Sequence, residues 1–471
     1  MSKINNVRLP NAAPSQYSAE SFDQLVRSLE QVIFQLNNTY TPIVTEDKDT
    51  AYAWYGDGGG FMDTNGLPVP ISIGGTNTDA FGRLRVSQPY TLFDSQNRYA
   101  SDNQFDTSTT GTGSLTFNTN QASNTLAVTA GGVGSVVRQT YRSFPYQPGK
   151  GLLVLATFLM DNGTSANLNQ KVGYFNTENG VFFQRAGGIN SFTVRTKTSG
   201  TVDNSRTVAQ SAWNGDRLDG TGASGVTLDL THPQILWMDF EWLGVGSVRC
   251  GFIIDGQYIV CHTFETANEY GTTVYMTTAI LPVRYEITTT TAAVAASLTQ
   301  ICCSVMSEGG FEQTSIEHVA RRVNATSSST ITTSFYPIAS IRLASTALGA
   351  VVIPSAINFL PTTSDNYEIA LIKNATLTGP SWAAVSSDAN VEYDITASAM
   401  TGGTICTNTF TTGKSGPVPL NAGNSYNWDL QLGASLAGVS DIVTLAARVV
   451  TTGGAGSGGG VGALSFYDLT Q

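Results

Sequence analysis

The sequence predicts a mainly β protein with one N-terminal helix and two β-sandwiches, on three observations. The first is residues 234–264, QILWMDFEWLGVGSVRCGFIIDGQYIVCHTF, where 235–242 alternate with period two. Leu236, Met238, Phe240 and Trp242 fall on one face, and Ile235, Trp237, Asp239 and Glu241 on the other. The second is composition: 13% of the 471 residues are charged, about half the usual ~25%. Gly, Ser, Thr and Asn take their place, while aromatic and β-branched residues are too frequent and too evenly spread for disorder. The third is that no helical period recurs after residue 38, whereas short apolar runs alternate with turn residues at close spacing.

Residues 1–45 form an arm and a helix. Phe22, Leu25, Leu29, Val32 and Leu36 repeat at 3-4-3-4 spacing, Ser18 or Ser21 can cap the start, and Asn37-Asn38 ends it. The stripe covers about two heptads, so it either packs on its own chain or serves in oligomerisation or docking on a larger particle. The second use is favoured, because little nearby sequence offers it a surface. Residues 46–90 lack periodicity and read as an extended connector; the run Gly58–Gly60 is followed by no helix start, which excludes a phosphate loop. Residues 91–320 carry about a dozen strand signals without an intervening helix, which predicts a jelly-roll, concanavalin-like β-sandwich. Strands are expected at 226–230 and 274–277 as well as in the stronger runs. Residues 321–334 are a Ser/Thr-rich linker, and 335–471 a smaller C-terminal sandwich, closing on an edge strand at 463–469.

Within the central stretch, Asp255-Gly256 signals a two-residue type I′ hairpin turn. Counting outward from it places Arg249 opposite His262 and Cys250 opposite Cys261. Trp237, Asp239, Glu241, Arg249, Tyr258 and His262 then share the outer face, a possible contact set for a glycan or a subunit, since a ring stacks on the apolar face of a sugar. Asp239 and Glu241, at i and i+2, project the same way roughly 6.5–7 Å apart. Glycosidases use a similar separation, but Trp237 occupies the place where jelly-roll glycoside hydrolases that carry this pattern have a further Glu. Hydrolysis by Asp239 and Glu241 is therefore the minor reading, and no catalytic residue is assigned. Asn214, Asp216 and Asp219 offer oxygen ligands for calcium at a spacing unlike an EF-hand loop, so a capped turn is the better reading. No cofactor and no metal are expected.

A net charge of −11 and the absence of any basic run exclude a nucleic-acid surface. No stretch approaches 18 uninterrupted apolar residues, so no membrane insertion is expected. The first residues contain no apolar segment of secretory type, and five cysteines without CxxC spacing suggest free thiols in a reducing cytoplasm.

Three stretches resemble virion proteins of tailed bacteriophages, especially those of aquatic bacteria. They are VRLPNAAPSQYSAESFDQLVRSLEQVIFQLN, DAFGRLRVSQPYTLFDSQNRY, and the block from KVGYFNTENGVFFQ through SAWNGDRLDGTGASGVTLDL to ILPVRYEI. The resemblance covers most of residues 1–310. It implies a virion structural protein, non-enzymatic, in a fibre, spike, tail or capsid attachment. The implied partners are other virion proteins, sister subunits (a trimer is the expected homo-oligomer) and a host surface glycan. A capsid decoration protein, or a surface-glycan depolymerase, is the alternative.

Overall fold

The computed structural model describes residues 88–470 apart from 162–164, 292–294, 313, 325–329, 388, 414–417, 422–427 and 451–457. Of the first 87 residues it describes 26, 27, 29, 60–62 and 68–70. The chain divides into two compact units, Met1–Val86 and Ser87–Gln471. In the first, Gly60–Met62 pairs antiparallel with Pro68–Pro70. Phe22, Leu25, Val32 and Leu36 of the expected helical stripe lie outside the described residues. Val26, Arg27 and Leu29 are helical and exposed, but three residues make no element, and no α-helix stands among the described elements. The described elements are strands and two short 3-10 helices, Gln210–Ala212 and Trp428–Leu430, and the expected N-terminal helix falls outside them.

The second unit begins with two antiparallel sheets that enclose one core. The seven-stranded sheet runs, in spatial order, Asp203–Ala209, Ile189–Thr196, Gly180–Ala186, Leu168–Phe175, Val283–Thr289, Gly134–Thr140 and Phe105–Gly111. The other sheet runs Gln257–Phe264, Val248–Ile254, Gln234–Phe240, Gly151–Met160, Ala296–Glu308, Ser123–Val128 and Gly113–Asn118, and Pro89–Gln96 also pairs with Ala296–Glu308. Rings from the two sheets meet in the middle: Phe158 with Phe183 at 5.9 Å, Phe183 with Phe252 at 5.3 Å, and Tyr174 with Phe240 at 5.2 Å. This interdigitation of inward faces makes the sandwich. The expected strands at 226–230 and 274–277 are absent. Their apolar side chains, Leu230, Tyr275 and Met276, are buried on the core, but the backbone there joins no ladder beyond the isolated Asp219–Thr227 bridge. Alternation recorded burial, which a packed loop supplies equally well.

A six-stranded sheet (Ala383–Ala384, Val391–Asp394, Tyr336–Leu343, Ile442–Val449, Asn366–Lys373, Thr404–Thr412) and a four-stranded one (Glu317–Arg322, Gly460–Asp468, Val352–Pro361, Val418–Asn421) enclose a second core. Glu317–Arg322 spans the expected boundary at 320 and pairs with Gly460–Asp468. That last strand is interior to its sheet, correcting the expected edge strand. Leu464 and Phe466 are fully buried, and Gly460 packs where a Cβ would lie 2.3 Å from the Phe359 ring. The two sandwiches are bound directly: the Ala434 N–H donates to Tyr141 O at 2.9 Å, and the Leu436 N–H to Asp106 Oδ2 at 2.7 Å. Val351 and Ile353 join the first core.

Candidate functional site

The central stretch folds as the outer half of the larger sheet. Leu236, Met238 and Phe240 point into the core, as the alternation predicts. Asp255 and Gly256 take φ of 52° and 76°, and Ile254 pairs with Gln257, so the hairpin turn is of the expected kind. Beyond it the expected register fails. Gly251 pairs with Val260 but Cys250 pairs with His262, so Cys261 is the extra residue of a β-bulge and Arg249 faces Thr263. The cause lies in the neighbouring loop. The Gly215 and Asp216 N–H groups donate to Cys261 O and Val260 O, both at 2.9 Å, so consecutive carbonyls of this edge turn toward the loop. Asn214 completes the clamp: its Nδ2 donates to Thr263 O at 2.9 Å, and its Oδ1 accepts the Thr263 N–H at 2.8 Å.

His262 consequently leaves the outer face. It is buried, its Nδ1 accepts the Asn214 N–H at 3.3 Å, and its ring stands edge-on to Phe264. Burial, aided by the Arg206 charge, lowers its pKa to about 4, so the imidazole is neutral near pH 7. Cys261 and Cys250 are buried free thiols, and burial pushes Cys261 up to about 12. Glu241 also departs from expectation. The strand stops at Phe240, and the Glu241 N–H closes a turn onto Ser247 O at 3.1 Å. The strand that would align Asp239 and Glu241 at i and i+2 therefore ends between them.

What does share the outer face is ordered in three cross-strand rows. Tyr258, Ile253, Ile235 and Thr157 form the first. Val260, Gly251, Trp237, Leu155 and Ser304 form the second, and Thr263, Arg249, Asp239, Leu153 and Met306 the third. Trp237 is only 4% exposed because Gly251 lets its indole lie against the backbone, where Nε1 donates to Ile259 O at 3.3 Å, and Tyr258 covers it at 5.5 Å. The accessible ring is Tyr258, 53% exposed. Asp239 Oδ2 takes Arg249 Nε at 2.9 Å and is bridged by the second guanidinium nitrogen as well. Glu308, which sequence reasoning missed, stands beside this pair. A Cβ at Gly151 would lie 2.9 Å from Glu308 Oε2 and 3.7 Å from Asp239 Oδ1. Burial and the Asp239 charge raise the Glu308 pKa, against the opposing pull of Arg249. No local signal could reveal it, because 69 residues separate it from Asp239 and only the sheet brings them together.

At the apolar end of the face lies a groove of about 550 Å³. Leu155, Ile235, Ile253 and Cys302 line it together with the polar side chains of Asn97, Arg98 and Gln121. The suggested calcium ligands are elsewhere and engaged. Asp216 accepts the Leu218 and Ser224 N–H groups, Asp219 accepts that of Thr221, and Asn214 holds Thr263. Asp216 and Asp219 thus cap the turns that the spacing favoured, whereas Asn214 bonds across to the neighbouring strand. Among the described residues no three His, Cys, Asp or Glu side chains gather as a metal site.

No family model matches the chain, and no curated protein matches it either. Solved structures give weak likenesses. The carbohydrate esterase vb_24B_21 from Shiga toxin-encoding bacteriophage phi24B is 10% identical over 47% of this chain and 100% of its own, with a TM-score of 0.27. The Emp47p carbohydrate recognition domain is 8% identical over 49% and 99%, with a TM-score of 0.30. The CBM2 module of the evolved Dit of Lactobacillus casei BL23 phage J-1 is 5% identical over 49% and 100%, also with a TM-score of 0.30. Likenesses this weak carry no functional argument.

Proposed function

We propose that the chain is a non-enzymatic structural component of a bacteriophage virion, fibre- or spike-like, that presents its sandwiches outward and contacts a host surface glycan. We take the first sandwich for a jelly roll of concanavalin kind. Its chain crosses from Gly134–Thr140 in one sheet to Gly151–Met160 in the other and back to Leu168–Phe175. The observation that carries the contact reading is the outer face of the larger sheet, where exposed Tyr258 and an apolar groove with a polar rim lie beside the Asp239–Arg249 pair. A sugar ring stacks on such a tyrosine while the rim takes its hydroxyls. With Asp239 tied to Arg249, the pair serves as a polar anchor and not as an acid or base. The N-terminal stripe of Phe22, Leu25, Leu29, Val32 and Leu36 is the proposed docking and oligomerisation element.

A second reading is favoured by one feature of that face: Leu153, Leu155, Ile235, Ile253 and Met306 are apolar and partly exposed. A sister subunit would bury them. Tyr258→Ala and Ile235→Asp separate the two. Loss of cell binding by Tyr258→Ala, at unchanged particle assembly and unchanged mass, supports the glycan; a change of oligomer with Ile235→Asp supports the subunit. Cell binding unaffected by either substitution sinks the adhesive reading of this face.

A further inference from the structure

A second pocket lies where the first sandwich meets the C-terminal residues Leu469 and Thr470. It measures about 510 Å³, within the range of about 300–1,000 Å³ typical of small-molecule sites. Three aromatic residues line it. Tyr146 stands edge-on to Trp242 at 5.9 Å, and Phe311 stacks on Tyr90 at 6.0 Å. The Trp242 Nε1 is shut off from solvent, and among the described residues no acceptor reaches it.

The polar groups are set in a repeated way. Thr278 Oγ1 accepts the Ile280 N–H at 2.9 Å, Thr470 Oγ1 accepts the Val351 N–H at 2.8 Å, and Tyr146 Oη accepts the Leu243 N–H at 3.3 Å. A hydroxyl whose oxygen is held by a backbone donor keeps its proton to give away. Burial raises the Tyr146 pKa, which keeps that phenol a donor. The two charges of the lining, Lys150 and Glu312, stand 3.9 Å apart, and Lys150 Nζ also donates to Gln147 Oε1 at 3.0 Å. The pocket therefore has no net charge to attract an ion. It offers ring surfaces and fixed hydroxyl donors.

We infer that this pocket between the sandwiches binds a neutral saccharide unit, stacked on its aromatic wall and held by the Thr278, Thr470 and Tyr146 hydroxyls. The site is separate from the outer face with Tyr258 and stands or falls independently of it. An anionic ligand would meet no uncompensated cation here, and a lipid chain would leave the hydroxyls without partners.

The test uses the full chain and the methyl glycosides of glucose, galactose, mannose and N-acetylglucosamine, read by titration calorimetry and ligand-observed NMR. At least one glycoside is expected to bind saturably. Thr278→Val keeps the shape, removes one hydroxyl and is expected to weaken binding roughly fivefold, the effect of one neutral hydrogen bond. Phe311→Ala is expected to weaken it further, and Tyr258→Ala to leave it unchanged; thermal melts confirm that each variant is folded. The inference is overturned if none of the four glycosides binds saturably, or if binding survives both Thr278→Val and Phe311→Ala. Binding that is lost only with Tyr258→Ala overturns it too, and moves the saccharide to the outer face.

Discussion

At the residue scale, the outer face of the seven-stranded sheet holds a buried ionic cluster. Glu286 takes Lys171 Nζ at 2.7 Å on one oxygen and Arg284 at 2.7 and 2.9 Å on the other. Phe175 and Phe182 lie beneath Arg195 and screen the group from water. Burial alone would raise the carboxyl, but the two cations outweigh it and bring it from the usual 4.5 to about 2. Burial lowers Lys171, since a single shared carboxylate does not repay the desolvation of an ammonium. A folded-state pKa below the unfolded value means the contribution to stability is complete above about 4.5 and is lost as pH falls toward about 2. Glu286→Gln should cost about 3 kcal/mol at neutral pH, the usual loss when one partner of a buried pair is removed. It should also flatten the acid limb of the stability curve, which denaturant titrations between pH 6 and 2 would reveal (about the window of the shift). An unchanged acid limb would place the acid sensitivity elsewhere.

At the element scale, the deciding feature is the bulge at Cys261. A two-residue turn and strict alternation predict a regular ladder, and the ladder is regular from Ile254–Gln257 to Gly251–Val260. It breaks where residues 214–216 cap the edge strand through Val260 O, Cys261 O and Thr263. The cap also removes an open edge, which is otherwise a template for unwanted strand pairing. Asn214→Ala deletes both side-chain bonds to Thr263 and should destabilise by about 1–2 kcal/mol. Amide exchange should accelerate at residues 261–264 and remain slow at 251–254; uniform protection across the hairpin would show that the clamp is not what holds this edge. Gly251 has no room for a side chain, because a Cβ would come within 1.9 Å of Ile259 O and 2.9 Å of Trp237 Nε1.

At the scale of the whole second unit, two cores are joined through backbone contacts that a linker reading of residues 321–334 does not anticipate. Gly433 sits where a Cβ would lie 2.7 Å from Tyr141 O, and its N–H donates to Asp441 Oδ2 at 3.0 Å. Gln431 Nε2 reaches Ser143 O at 2.7 Å across the same seam. Gly433→Val should wedge the seam open and divide one calorimetric transition into two, one per core. A single transition at lower temperature would mean that the sandwiches remain coupled through the Val351 and Ile353 contacts with the first core. For assembly, Leu29→Asp is expected to abolish incorporation into particles while circular dichroism of the β-domains stays unchanged, and normal incorporation would discredit the docking role.

The sequence by itself determined the β class, the inward set Leu236, Met238 and Phe240, and the Asp255-Gly256 turn. Each of these follows from spacing within one strand or from backbone φ at two adjacent residues. It also determined that Asp216 and Asp219 sit in capped turns, since an Asx side chain reaches its own neighbours; Asn214 instead reaches Thr263 across the fold. Only the tertiary structure decided that His262 turns inward, because the bulge is imposed by a loop some 45 residues upstream, whose N–H groups require acceptors. Only the tertiary structure, likewise, set Glu308 beside Asp239, buried Trp237 under Tyr258, and put the closing strand in the interior of a sheet. Burial and partnership belong to whatever packs from elsewhere in the chain, and no local spacing encodes them.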